Sequence, residues 1–87
     1  MITRKMEVKS PVGLHARPAA QFSEVAKSAG YPVKVGRTEA NLVNAASPLR
    51  LLTLKIQQGE SIIVVCETSD ELGARMLLDK LEACIQN

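Results

Sequence analysis

Tryptophan is absent from these 87 residues, and phenylalanine and tyrosine occur once each. Unpaired bases therefore find no set of aromatic faces to stack on, and binding to single-stranded nucleic acid is disfavoured. Charge of one sign is scarce as well. Eleven Lys and Arg against nine Asp and Glu leave a net +2, too little to argue for direct nucleic-acid binding on electrostatics. Long apolar runs are missing too. The longest, Ile62 to Cys66, falls far short of the roughly 18 residues a spanning helix needs, so no membrane insertion is expected. The opening MITRKMEVKS is basic but leads into no apolar block, so no secretory signal is read and a cytoplasmic location is expected. Cys66 and Cys84 are too few for a disulfide framework and lack metal-ligand spacing, and they read as buried small hydrophobes. A single histidine cannot complete a metal site, so neither metal nor cofactor is expected.

What is present is an ordinary globular balance, 46% hydrophobic and 23% charged, over a length that suits one domain, residues 1–87, around one core. Residues 2–9 alternate, with Met6 and Val8 on one face and Lys5, Glu7 and Lys9 on the other, which predicts a half-buried strand stopped by Ser10, Pro11 and Gly13. From Ala16 to Ala29 the spacing of Ala19, Phe22, Val25, Ala26 and Ala29 predicts a helix, ended by Gly30 and Pro32. Val33 and Val35, then Leu42 and Val43, flank the polar GRTEAN and predict a hairpin of two short strands. Ser47-Pro48 reads as an N-cap with proline at the first helical position, opening a short helix with leucines at 49, 51, 52 and 54. Ser61 to Glu67 is rich in β-branched residues and apolar on both faces, which predicts an interior strand whose outward Ile63 and Val65 could serve self-association. Thr68 with Glu71 reads as a capping box before a terminal helix reaching about residue 85. The order βαββαβα predicts an α+β domain with helices on one face of a largely antiparallel sheet.

His15 is the one residue whose placement suggests chemistry. It lies between a Pro-Gly turn and the first helix, where a core histidine is not expected. Ala16, Arg17 and Pro18 fall in the first turn, where proline costs nothing because those amides have no intrahelical partner. Free amides and the helix dipole favour an anion there, and the Arg17 guanidinium suits phosphate oxygens. Imidazole is largely neutral and nucleophilic near pH 7. A transient phosphohistidine is the chemistry these parts suit; the plainer reading makes His15 a helix cap and Arg17 a solvated charge. No serine or cysteine stands in a nucleophile-elbow context, so a hydrolytic triad is not read.

Gly13-Leu14-His15-Ala16-Arg17-Pro18, continued by Ala19-Ala20-Gln21-Phe22, resembles the active-site signature of the histidine-containing phosphocarrier (HPr) family of the bacterial phosphoenolpyruvate-dependent sugar phosphotransferase system. Val43 to Ser47, the leucines at 49, 51, 52 and 54, and Gly59 resemble that family's regulatory-serine region, so the likeness spans nearly the whole chain. The resemblance implies an open-faced sandwich of four antiparallel strands with three helices on one face. It further implies a carrier rather than a catalyst. Enzyme I, phosphorylated by phosphoenolpyruvate, would pass its phosphoryl group to Nδ1 of His15, with Ala16, Arg17 and Pro18 forming the phosphate-binding turn, and enzyme IIA domains of sugar permeases would accept it. A monomer is expected.

Ser47 matches the regulatory serine that an ATP-dependent HPr kinase/phosphorylase modifies in some bacteria, after which the carrier acts through a catabolite-control transcription factor. Pro48 departs from that pattern, where an aliphatic residue is usual, and so does Arg50, near a position often held by glycine or lysine. The local reading of Ser47 is an N-cap alone. Leu49 and Leu52, with Pro48 and Ala20, are expected to form the partner-docking patch, while Leu51 and Leu54 face the core. The alternative is a regulatory interaction protein of the same fold, either a nitrogen-branch carrier or a serine-phosphorylated catabolite-repression cofactor. A paralogue that had lost the relay would lack His15.

Overall fold

The computed structural model describes residues 1–14 and 16–86, and of residue 16 the backbone alone. Seven elements follow one another: β1 (Ile2–Glu7), α1 (Ala16–Lys27), β2 (Val33–Gly36), β3 (Val43–Asn44), α2 (Pro48–Thr53), β4 (Ser61–Cys66) and α3 (Glu71–Cys84). The strands form one antiparallel sheet in the order β1-β4-β2-β3. β4 is therefore interior, as its two apolar faces require, with Val64 paired to Arg4 on one side and to Val35 on the other.

Alternation along the strands fixes which face meets the helices. Met6, Val33, Val35, Ile62, Val64 and Cys66 are buried in one cluster with Phe22 of α1, Leu51 of α2 and Leu78 and Leu81 of α3. All three helices thus pack on one face of the sheet, and the open-faced α+β sandwich expected from the element order is what the chain forms. Burying each such large apolar side chain is worth about 1.5–3 kcal/mol, and these contacts join segments far apart in sequence. Arg4, on the helix side of β1, tethers α3 through Asp79 at 2.7 Å and Glu82 at 3.2 Å. Among the described residues no helix is long and apolar enough to cross a membrane.

Five expectations need correction. The cap of α3 is Asp70, whose Oδ1 accepts from Gly73 N at 3.1 Å, not Thr68. The Thr68 hydroxyl instead accepts from Asp70 N in a tight turn, so the helix opens two residues later. Val65 does not face solvent: it is 4% exposed, on the open face among Met1, Thr3, Lys34 and Leu42, which removes it from any self-association surface. Cys84 is only half-buried, whereas Cys66 is fully so. Finally, α1 ends at Lys27, two residues before Ala29, and the short third strand is Val43–Asn44 rather than Leu42-Val43.

Candidate functional site

The turn before α1 is held from two directions. Gly13 N donates to the Ser10 carbonyl at 2.9 Å, closing the turn, and Leu14 N donates to the Ile56 carbonyl at 3.0 Å, fastening the chain to the segment between α2 and β4. Gly13 adopts φ +64°, and its α-carbon lies so close to the Ile56 carbonyl that a β-carbon would overlap the oxygen. Glycine is needed twice over there, for the left-handed backbone and for the close approach. Leu14 is fully buried beneath the turn. His15 lies outside the described residues. What is described is its frame: a buried anchor at Leu14 on one side and the first turn of α1 on the other.

Pro18 is buried in that first turn, and Ala19 and Phe22 behind it are core residues. Arg17 and Ala20 are exposed. Among the described residues Arg17 forms no ion pair, so its guanidinium remains available to an anion at the helix start. A cleft of about 380 Å³ opens beside it, lined by Val12, Arg17, Pro18, Gln21, Ala83 and Cys84. Burial raises the Cys84 thiol above its ordinary range, and its Sγ donates to the Lys80 carbonyl at 3.3 Å, so it offers this cleft no thiolate.

Ser47 caps α2 through its hydroxyl, which accepts from Arg50 N at 3.4 Å, with Pro48 at the first helical position. The two-residue offset around this short helix divides its leucines. Leu51 is fully buried and Leu54 packs against the core, while Leu49 is 75% and Leu52 37% exposed beside exposed Pro48. The helix that carries these leucines packs against α1, the helix that opens after His15. Val12, 55% exposed, stands instead at the Arg17 cleft beside Ala83 and Cys84; the sequence reading passed over it, although an apolar residue inside a Pro-Gly turn is itself a signal.

A second feature has no local sequence signature. Arg37, just after β2, forks onto Glu60 at 2.8 and 3.1 Å and donates to the carbonyls of Leu54 at 2.7 Å and Lys55 at 3.2 Å. Glu60 Oε2 also accepts from Gln57 N at 2.7 Å. The Arg37 hydrogen bond, followed by the Gln57 amide, pulls the Glu60 carboxyl down to about 2, and the same pairing raises Arg37.

Comparison with known proteins gives the family and the fold. The PTS-HPr family model, described as the PTS HPr component phosphorylation site, matches residues 2–87. A phosphocarrier protein HPr of Streptomyces coelicolor is 41% identical over 81 residues, 93% of this chain and 84% of its own. The HPr-like protein Crh of Bacillus subtilis is 34% identical over 86 residues, 99% of this chain and 96% of its own. The crystal structure of HPr-C-His from Thermoanaerobacter tengcongensis matches with a TM-score of 0.83 at 31% identity, covering 100% of this chain and 98% of that one. The likeness runs the length of the molecule in both sequence and fold, and the chain belongs to the HPr family of phosphocarrier proteins of the phosphotransferase system.

Proposed function

We propose that this protein relays a phosphoryl group through His15, receiving it from phospho-enzyme I and delivering it to enzyme IIA domains of sugar permeases. Support comes above all from one observation: α1 begins at residue 16, directly after His15, with exposed Arg17 in its first turn. Nδ1 of His15 attacks phosphorus, and its bond to phosphorus forms as the bond to the donor breaks. The product dianion then lies at a helix start, where the amides of Ala16 and Arg17 and the Arg17 guanidinium offset its charge, each such interaction contributing about 0.3–1 kcal/mol. Pro18 leaves no amide competing in that turn. Pro48, Leu49, Leu52 and Ala20 supply a docking face, so one surface serves donor and acceptor in turn. The protein is then a substrate of enzyme I, needing no metal or cofactor of its own.

The test is labelling with phosphoenolpyruvate and a cognate enzyme I. Wild type takes up an acid-labile, base-stable label, and His15→Ala takes up none while keeping its melting temperature. Labelling that survives in His15→Ala overturns the assignment. Arg17→Glu folds normally and slows the transfer.

Likeness to a protein named Crh favours a second reading, as a regulatory interaction protein acting through phosphorylated Ser47 and a catabolite-control transcription factor. With the Ser47 hydroxyl engaged as a cap and proline following it, we expect no Ser47 phosphate under ATP and HPr kinase/phosphorylase conditions that fully modify a carrier with an aliphatic residue after its serine. Stoichiometric labelling of Ser47 establishes the regulatory reading instead.

A further inference from the structure

Ile56 is the hinge between two sets of contacts. Its carbonyl accepts from Leu14 N and meets the α-carbon side of Gly13, and so holds the residues just before His15. The backbone groups flanking it are themselves held: the carbonyls of Leu54 and Lys55 on one side by Arg37, and the amide of Gln57 on the other by Glu60. Arg37 and Glu60 are locked to each other by two further bonds. Lys55 takes a left-handed backbone, φ 54°, which a non-glycine residue keeps only when its surroundings enforce it. Its N–H closes onto Leu52 and its carbonyl faces the Arg37 fork, so the same guanidinium holds the chain just past the end of α2. The segment is fastened at its far end as well, where Gly59 N donates to Val8 and Val8 N to Glu60.

We propose that Arg37 and Glu60 are positioning residues for the phosphoryl transfer: by fixing residues 54–57 they fix the direction of the Ile56 carbonyl, and through it the Gly13-Leu14 turn that presents His15. The inference rests on the relay reading for its kinetic consequence, but the clamp on Leu14 stands on geometry alone. Neither side chain belongs to the signature around His15 or to the docking leucines. Arg37 is specific to the task, since a fork that reaches two carbonyls and a carboxylate together needs the planar guanidinium; a lysine ammonium at that place reaches fewer acceptors. With its carboxyl held far below the usual carboxylate range, Glu60 keeps the clamp closed across the neutral and mildly acidic range.

Two measurements on each variant test this: amide hydrogen exchange at Leu14, and steady-state kinetics of enzyme I with this protein as the varied substrate. Glu60→Gln and Arg37→Met are compared with Arg75→Met, which breaks the Arg75–Glu71 pair, at 2.7 Å as short as the Arg37–Glu60 pair at 2.8 Å but on the outer surface of α3. In the first two, Leu14 exchange accelerates about tenfold or more, and kcat falls about tenfold with KM changed less than about twofold, since misplacing a reacting group costs rate rather than binding. Arg75→Met changes neither. Arg37→Lys, which keeps the charge and loses the fork, folds and gives intermediate values, and it carries the test if either larger change unfolds the chain. Unchanged Leu14 exchange in the clamp variants overturns the proposal, and so does a rise in KM at constant kcat, which would place the pair in docking. Should enzyme I fail to phosphorylate even the wild type, the relay reading falls, and Leu14 exchange still decides for or against the clamp.

Discussion

Gly13→Ala is the substitution most directly exposed to the geometry described above. Two costs combine. An L-residue in the left-handed region costs about 1–2 kcal/mol. The added β-carbon also overlaps the Ile56 carbonyl oxygen, with backbone rather than a flexible side chain in its way, so the turn must move and the Leu14–Ile56 hydrogen bond, worth about 0.5–1.5 kcal/mol, is weakened or lost. Together these amount to about 1.5–3.5 kcal/mol, a large part of the roughly 4–13 kcal/mol that a domain of 87 residues commands. Gly30 is the internal control, because it has φ +78° yet nothing within 4 Å of where a β-carbon would stand. Gly30→Ala should therefore show the backbone cost alone. Urea denaturation of both variants, with the slope checked for two-state behaviour, measures the difference. We expect Gly13→Ala to be the less stable by about 1 kcal/mol and to be phosphorylated more slowly by enzyme I, while Gly30→Ala is phosphorylated at the wild-type rate. Equal losses in the two variants refute the reasoning, because the turn would then be free to move away from Ile56 at no cost.

Leu81→Ala, at a fully buried position of α3, should cost about 2–5 kcal/mol in the same urea assay as a cavity forms, and a loss under 1 kcal/mol would mean that the site collapses freely. Ser47→Ala should cost about 0.5–2 kcal/mol by removing the cap of α2, and Ser47→Asp should be nearly neutral, since aspartate accepts the same Arg50 amide; equal losses count against the cap. Leu49→Asp should raise the KM of enzyme I for this protein and leave the melting temperature within a degree or two, because the side chain is largely in solvent, and chemical shifts confined to the open face of the sheet on titration with enzyme I would discard that docking surface. The Glu60 carboxyl is lowered from 4.5 to about 2 on folding, so its contribution is complete above about pH 4.5 and is lost as pH falls toward 2; the urea midpoints of wild type and Glu60→Gln should converge across that window, and a constant gap would show that the ionised carboxylate is not what Arg37 holds.

Every element of the sandwich was legible in the sequence because its signals are local. Period-two and helical spacing placed the seven elements in order, and Ser47-Pro48 announced α2 because a cap and its amide are three residues apart. The Gly13 to Pro18 signature was likewise readable, as it combines a turn residue, a titratable side chain and a helix start in consecutive positions. Where two local signals competed, the reading failed: Thr68 and Asp70 can each cap a helix, and only the chain's path out of β4 let Thr68 close the turn and left Asp70 to take the amide of Gly73. What tertiary structure alone decided is what depends on pairing distant segments. Alternation turned Val65 outward, yet Leu42, brought alongside by the β2–β3 hairpin, leaves it buried. Arg4 meets Asp79 across 75 residues, and Arg37 meets Glu60 across 23. Charged side chains are common and their partners are chosen by the sheet order β1-β4-β2-β3, which no periodicity encodes, so the brace behind the His15 turn becomes visible only once the chain is folded.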